Sequence, residues 1–290
     1  MSLDTAERAY PNIVPENNLR LPDAVTITHG PTRLLARFIL EADQAARRIG
    51  LFLRIRHDFE ELVFLNRREA ARGNWYPIVD MFNSEHVDLN AENAFWVSGE
   101  NGDGEIVATF GVRIFDWRGT NLAQQARALF YGEDHGQPCI VTAEAAHRIS
   151  GIVVCGGVNW VRPDYRGHQL SRLTPRIGKA YACGRWPVDW AFGLVSNKHA
   201  KQGMPAYWGH PNCGYSISYP GTPWVDLGFA YSSAQDIYED ITNFLATQLS
   251  EDSSSRAAAD VRAGAEPAGL EHIVTKTSSD GVFHGSKSRS

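Results

Sequence analysis

The sequence predicts an α/β fold of the α+β type, in which helices flank one central sheet, and three observations support this prediction. Apolar residues recur at helical spacing over residues 32–49, residues 50–56 alternate as a half-buried strand does, and residues 94–117 have the pattern of a β-hairpin. Two nearly continuous apolar runs occur at residues 151–161 and 188–196. Such runs are typical of central strands that are buried on both faces, so the middle of the sheet is expected there.

The N-terminal half begins with an extended arm over residues 1–30, because three prolines occur there among polar residues; within it, A-V-T-I-T at 24–28 predicts a short strand. Gly50 ends the first helix. Asp58 and Glu61 form a capping pair that opens a second helix, and N-G-D-G supplies the turn of the hairpin at 94–117.

The C-terminal half continues the alternation of helices and strands. Further helices are expected near 120–131, 170–183, 197–203 and 234–249, and further strands near 215–219 and 225–230, whereas 139–148 fits either type. A single folded domain would span 31–249, with an insertion near 118–149. Residues 250–290 are rich in Ser, Ala, Gly and charged side chains, which predicts a disordered tail or, alternatively, a short binding segment around 270–274.

Charge and hydropathy argue against nucleic-acid and membrane partners. A net charge of −5 and a pI near 6.1 argue against a nucleic-acid partner, which needs a basic face. No apolar stretch approaches the roughly 20 residues of a membrane-spanning helix, so no membrane partner is expected. The polar start M-S-L-D-T-A-E-R lacks a signal peptide's apolar core.

The four cysteines are widely spaced and form no C-x-x-C pair. Cys155 and Cys183 lie in apolar segments, which favours reduced, buried thiols and a cytoplasmic location. His210 and Cys213 have a spacing that metal ligands use, but no second pair of ligands lies nearby, so no metal site is predicted.

The stretch V-N-W-V-R-P-D-Y-R-G-H-Q-L-S at 158–171 carries the strongest chemical signal. Pro163 stops a buried strand, and a helix begins a few residues after it. A tight strand-to-helix turn directs backbone N–H groups and the helix dipole at one point, which suits a pyrophosphate. The ordinary alternative is a βα turn without a ligand. The P-loop and the G-x-G-x-x-G fingerprint are both missing.

This stretch resembles the central motif of the GCN5-related N-acetyltransferase (GNAT) superfamily, in which a [Q/R]-x-x-G-x-[G/A] loop binds the acyl-coenzyme A (acyl-CoA) pyrophosphate. Arg166 matches the first position of the motif, but Gln169 stands where the family has Gly and Ser171 where it has Gly or Ala. The order of predicted elements resembles the family over roughly residues 50–230. The resemblance implies a mixed, mostly antiparallel central sheet, flanked by helices and splayed at the acyl-CoA site.

The resemblance also implies the site and the reaction. Acetyl-CoA or another acyl-CoA would be the co-substrate, a small-molecule amine or a peptide would accept the acyl group, and a homodimer is left open. A bulge at Gly156–Val158 and backbone N–H groups near Trp160 or Val161 would serve the thioester. The implied cofactor-binding residues are Trp160, Val161, Arg166, Gly167, His168, Gln169, Leu170, Ser171 and Asn197; the implied catalytic residues are the acid Tyr207 and the base His199.

Several alternatives stay open at the level of sequence. The same fold could sense acyl-CoA without turnover, or serve as a signal-molecule synthase that takes its acyl group from a carrier protein. Tyr207 could simply pack beside Trp208, and His210 could replace His199 as base. Trp75, Trp117 and Trp208 are candidates for an acceptor pocket. Cys155 is discounted as a nucleophile, because an apolar setting raises the pKa of a thiol.

Overall fold

The computed structural model describes residues 20–131, 138–220 and 227–247. One eight-stranded sheet, in the order β1-β2-β3-β5-β6-β8-β7-β4, forms its centre. The strands are β1 (Phe52–Arg56), β2 (Ala94–Glu100), β3 (Ile106–Trp117), β4 (Ile140–Val141), β5 (Gly151–Val161), β6 (Trp190–Ser196), β7 (Asn212–Ser218) and β8 (Leu227–Ser233). The helices are α1 (Thr32–Arg48), α2 (Phe59–Ala71), α3 (Leu122–Gln125), α4 (Ala128–Tyr131), α5 (Leu170–Arg185), α6 (Asn197–Lys201), α7 (Met204–Tyr207) and α8 (234–247).

The fold class is confirmed. Every pair of neighbouring strands in the sheet is antiparallel except β5 and β6, which run parallel. Parallel neighbours need a crossover, and α5 supplies it by connecting the end of β5 to the start of β6. The sheet is therefore mixed and mostly antiparallel, and its single parallel pair lies where the two apolar runs of the sequence predicted the centre.

The parallel pair separates after a short stretch of contact. β5 pairs with β6 only over Val153–Cys155, opposite Trp190–Phe192, although β5 continues to Val161 and β6 to Ser196. Beyond that point β5 stays paired with β3, but the register shifts and Val158 has a φ of +47°. This is a β-bulge, which bends the strand and increases its local twist. A gap therefore opens between the carboxyl-terminal ends of β5 and β6.

Helices cover both faces of the sheet. On one face α1, α5 and α8 bury an apolar cluster that includes Phe38, Ile177 and Ile241. On the other face, α2, the segment 75–82 and the short helices α3 and α4 surround a second cluster that includes Phe82 and Trp96. Because the strands between two covered faces need apolar residues on both sides, β2 is buried along its whole length.

Two predicted elements differ from the structure, and a third stretch that fitted either type is now assigned. Residues 24–28 are not a strand; Thr28 and His29 donate their backbone N–H groups to Gly184 O instead, at the C-terminal end of α5. The helix expected over 120–131 is two short helices, α3 and α4. The ambiguous stretch 139–148 contains the two-residue strand β4 and a 3₁₀ turn at Glu144–His147.

The chain divides into two units, Met1–Thr247 and Gln248–Ser290. Most of the predicted arm (residues 1–19) and the whole predicted tail (250–290) lie outside the described residues. Within the described ranges, no helix has both the length and the hydrophobicity required to cross a membrane.

Candidate functional site

The loop from β5 to α5, to which the resemblance assigns the pyrophosphate, is exposed. Pro163–Tyr165 form a 3₁₀ turn, after which residues 166–169 are exposed. Gly167 has a φ of +93°, and a Cβ atom placed there would meet no other atom within 4 Å. Glycine is therefore required by the backbone conformation rather than by a close neighbour. Arg166 is exposed beside it, and its Nε donates to Val161 O at 3.4 Å.

The first turn of α5 completes this loop. No described side chain caps the helix, and its first turn carries no acidic residue. The N-cap residue Gln169 has a left-handed φ of +57°, and its Oε1 accepts from Arg172 at 2.9 Å. The Gln169 side chain is thus held back along α5. Leu170 is buried in the core, so only its backbone can face a ligand.

Backbone groups of β5 face the gap between β5 and β6. Arg162 N–H donates to Val107 O of β3 at 2.8 Å. Because successive N–H groups of a strand face opposite edges, the Val161 N–H faces away from β3 and into the gap, whereas the Trp160 N–H faces β3. Trp160 is buried; its side chain stacks on Trp75 with ring centroids 4.9 Å apart and donates from Nε1 to Asn74 O at 3.2 Å.

Two asparagines at the two sides of the gap have unused amide oxygens. Asn159 follows the bulge in β5, and Asn197 follows the end of β6. Oδ1 of each is buried without a hydrogen-bond partner among the described residues. Nδ2 of Asn159 donates to Ser171 O at 3.3 Å, in the first turn of α5. An unpaired buried acceptor is costly, so both oxygens are suited to a ligand that brings N–H donors into the gap.

A cavity of about 180 Å³ opens from the gap on the face opposite α5. The bulge region Cys155–Asn159 forms its floor, with Leu194 and Ser196 of β6 beside it. The segment 75–82 forms the facing wall, and Asn66 of α2 holds that segment with both amide atoms, donating to Tyr76 O at 2.8 Å and accepting from Ile78 N at 2.9 Å. Trp75 lines this cavity, whereas Trp117 is buried in the core.

Ser196 connects this cavity to His199. Its Oγ accepts the backbone N–H of His199 at 3.3 Å, which caps α6, and lies 3.1 Å from His199 Nδ1. The hydroxyl can donate to Nδ1 while it accepts from the backbone, because a serine oxygen has one proton and two lone pairs. The exposed imidazole of His199 is therefore coupled to a cavity-lining hydroxyl although it does not itself line the cavity.

Tyr207 ends α7, and its side chain is 37% exposed. Two buried cations of α5 hold α7 through backbone carbonyls. Arg176 donates to Tyr207 O at 2.8 Å and pairs with Asp240, and Lys179 donates to Trp208 O at 3.0 Å and to Gly209 O. Tyr207 is not among the residues that line the cavity.

Burial determines the protonation of the thiol in the cavity floor. Cys155 is fully buried beside Met81, and burial raises the pKa of its thiol to about 12. A thiol with that pKa is not a nucleophile near neutral pH, in agreement with the sequence interpretation. All four cysteines are free. In the described ranges, no three His, Cys, Asp or Glu side chains are placed to hold a metal ion.

The sequence did not indicate the cavity wall or the asparagine of the bulge. The apolar residues of 75–82 follow neither helical nor strand periodicity. The conformation of this segment is fixed by hydrogen bonds to Asn66, which lies two turns into α2. Asn159 lies within the apolar run that predicts β5, and nothing in that run singles it out. The one available signal was the pair Gly156–Gly157. A Cβ atom on Gly157 would lie 2.4 Å from the ring of Phe82, and one on Gly156 would lie 2.5 Å from the ring of Phe110.

No protein-family model and no curated protein sequence matches the chain. Among solved structures, NAA60 of Arabidopsis thaliana in complex with acetyl-CoA is 11% identical, with a TM-score of 0.41 over 64% of this chain and 99% of its own. The N-acyl amino acid synthase FeeM from uncultured soil microbes is 14% identical, with a TM-score of 0.39 over 64% and 92%. A variant of spermidine N-acetyltransferase SpeG from Vibrio cholerae is 10% identical, with a TM-score of 0.40 over 65% and 96%.

The chain has a GNAT-like fold. Its mixed sheet, the single parallel pair that separates and the bulge before the motif loop match the fold that the resemblance implied. A fold hosts many functions, and identities of 10–14% leave substrate and activity to be argued from the site itself.

Proposed function

We propose that this protein is an acyl-CoA-dependent N-acyltransferase that transfers an acyl group directly to an amine. The observation that carries the proposal is the open gap between β5 and β6, which begins after Cys155 and Phe192. At one end of the gap lies the uncapped N-terminus of α5, and at the other lies the cavity. A long, thin ligand with an anionic end fits this arrangement.

The residues of the gap fit coenzyme A along its length. N–H groups of the loop and of the first turn of α5, with Arg166 beside them, would hold the pyrophosphate. Gly167 would permit close approach of the backbone, and His168 and Ser171 border the same loop. The free Oδ1 atoms of Asn159 and Asn197 would accept N–H groups of the pantetheine arm.

Bound acyl-CoA supplies the thioester carbonyl that the amine attacks; the C–N bond forms, the C–S bond breaks and the thiolate takes a proton. In this scheme the Val161 N–H polarises the carbonyl oxygen. Ser196 passes a proton from the amine to His199, which acts as general base. Tyr207 would protonate the thiolate; for this its hydroxyl must reach the gap from α7. Positioning between two strands supplies much of the rate.

One observation favours a second candidate, an acyl-CoA sensor without turnover. Neither proposed catalytic side chain, Tyr207 or His199, lines the cavity. A binding module would need the gap and the loop but neither of these groups.

Calorimetric titration with CoA and acetyl-CoA, followed by assay of free thiol with a panel of amines, separates the two candidates. We expect binding of both ligands and amine-dependent release of thiol. Binding without thiol release for any amine would favour the sensor. Absence of binding at millimolar ligand would contradict both candidates.

The Gly167→Trp variant locates the coenzyme. A large side chain at this left-handed position would cover the loop, and affinity for CoA should fall at least about tenfold, because each lost hydrogen bond to a charged group costs about 1.5–3 kcal/mol. Gly73→Trp is the matched control, since Gly73 has a φ of +73° and open space around its Cβ position but lies after α2. Equal affinity of both variants would move the coenzyme away from this loop.

A further inference from the structure

We propose that the cavity beside the bulge holds the alkyl chain of the acyl donor, so that the preferred donor carries a medium-length acyl chain rather than acetyl. This inference rests on the proposed function and names the donor class of the same site. An acetyl group would leave most of a cavity of about 180 Å³ without a ligand.

The wall of the cavity is apolar and partly aromatic. Its side chains include Trp75, Ile78, Met81, Phe82, Leu194 and Leu227. Among the described residues that line it, none is charged. Apolar surface removed from water contributes about 0.8 kcal/mol for each methylene group, so such a wall stabilises an alkyl chain and gives little to a polar ligand.

The cavity also lies where an acyl chain would have to go. Its floor is the bulge, Cys155–Asn159, which borders the gap in which the thioester would sit. Gly156 and Gly157 present backbone there, and the ring of Phe82 covers Gly157. With the pyrophosphate at the N-terminus of α5, the acyl end of the donor emerges on the opposite face of the sheet, directly into the cavity.

An amine acceptor fits the same space less well. A free amine in water is mainly an ammonium ion, and burying a cation requires a counter-charge. None of the described side chains that line the cavity is a carboxylate that could supply this counter-charge. The acceptor would then approach from the open side, past Ser196.

Chain-length dependence of binding tests the inference without turnover. CoA and straight-chain acyl-CoAs from acetyl to decanoyl, kept below micelle-forming concentrations, are titrated by calorimetry against the full chain. We expect affinity to rise by up to about fourfold for each added methylene, and then to level off when the cavity is filled.

Two variants narrow the cavity from different sides. Ile78→Trp enlarges a half-buried side chain of the wall, and the backbone N–H of residue 78 can still donate to Asn66. Leu194→Trp enlarges a half-buried side chain on the β6 side of the cavity. Either variant should lower the affinity for octanoyl-CoA at least tenfold and leave that for CoA within about twofold. Leu40→Trp, on the exposed side of α1, is the matched control and should change neither.

The outcomes separate this inference from the proposed function. Affinity that rises with chain length in the native chain and stops rising in a narrowed variant supports the inference. Binding of CoA with equal or weaker binding of longer acyl-CoAs overturns the chain pocket but leaves the acyltransferase proposal standing. A length dependence that survives both Ile78→Trp and Leu194→Trp places the chain elsewhere and also overturns it. Absence of binding for CoA and every acyl-CoA overturns the proposed function and the inference together.

Discussion

The hydroxyl of Ser196 makes two contacts with His199 and also borders the cavity. It caps α6 by accepting the His199 N–H, and it lies 3.1 Å from His199 Nδ1 while it lines the cavity. This contact between a cavity-lining hydroxyl and an exposed imidazole is the geometric basis of the proposed proton relay.

Ser196→Ala should separate catalysis from binding. Without the hydroxyl the amine loses its path to His199, and kcat should fall by about 10²–10⁴-fold, whereas the affinity for CoA stays within about threefold. His199→Gln should give the same split. Steady-state kinetics with the best amine, combined with calorimetry, measure both quantities.

Two controls distinguish a relay from a structural cap. Ser196→Thr retains a hydroxyl and should restore most of kcat. Asn121→Ala removes the N-cap of α3, which accepts from Gln124 N at 3.1 Å, and should destabilise the protein to a similar degree without changing kcat. If Ser196→Thr remained as slow as Ser196→Ala, the relay would be wrong.

Two parts of helix α5 contact the candidate site. Its first turn follows the loop that is proposed to bind the pyrophosphate, and its middle holds α7 through Arg176 and Lys179. Lys179 is fully buried, and burial lowers the pKa of its ammonium group to about 7; Arg176 lowers this pKa further, while Asp240 and Cys183 raise it. The same environment lowers the pKa of the buried His210 imidazole well below its usual value. The interior next to α7 thus disfavours positive charge.

Stability should therefore rise with pH above neutrality. Between pH 7 and 10.5 the unfolded chain keeps a proton on Lys179 that the folded chain releases, so raising the pH favours the folded state. The slope of the free energy of unfolding from this group is at most about 1.4 kcal/mol per pH unit. Lys179→Met should remove this part of the slope, measured by urea unfolding from pH 7 to 10.

The control for this measurement is Lys201→Met, because Lys201 is exposed at the end of α6 and its replacement should leave the slope as it is. Lys179→Met also leaves the carbonyls of Trp208 and Gly209 without their donor, so its stability at pH 10 should be lower than that of the native chain by about 1–3 kcal/mol. An unchanged slope in Lys179→Met would mean that Lys179 keeps its proton in the folded state.

At the scale of the whole molecule, local sequence patterns predicted the central strands and the loop between them. The features that the sequence did not predict depend on contacts between residues far apart in the chain. Local patterns identified two central strands, at 151–161 and 188–196, and the loop between them at Arg166–Gly167, because apolar runs and turn residues are local features of the sequence. The strand expected at 24–28 was wrong because Gly184 O, 156 residues away from Thr28, takes its donor. The cavity wall depends in the same way on Asn66, which no local pattern connects to Tyr76 and Ile78.

The predicted tail gives the last test at this scale. All eight strands and the whole candidate site belong to the unit Met1–Thr247, and the composition of residues 250–290 predicts that they add nothing to its core. A chain that ends at residue 249 should therefore melt within about 2 °C of the full chain, which corresponds to less than about 1 kcal/mol for a domain of this size. Its affinity for CoA should stay within about twofold. A larger fall in melting temperature or in affinity would contradict the interpretation of an inert tail. If replacement of Leu270, Ile273 and Val274 by Ser in the full chain then gave the same loss, residues 270–274 would be a binding segment.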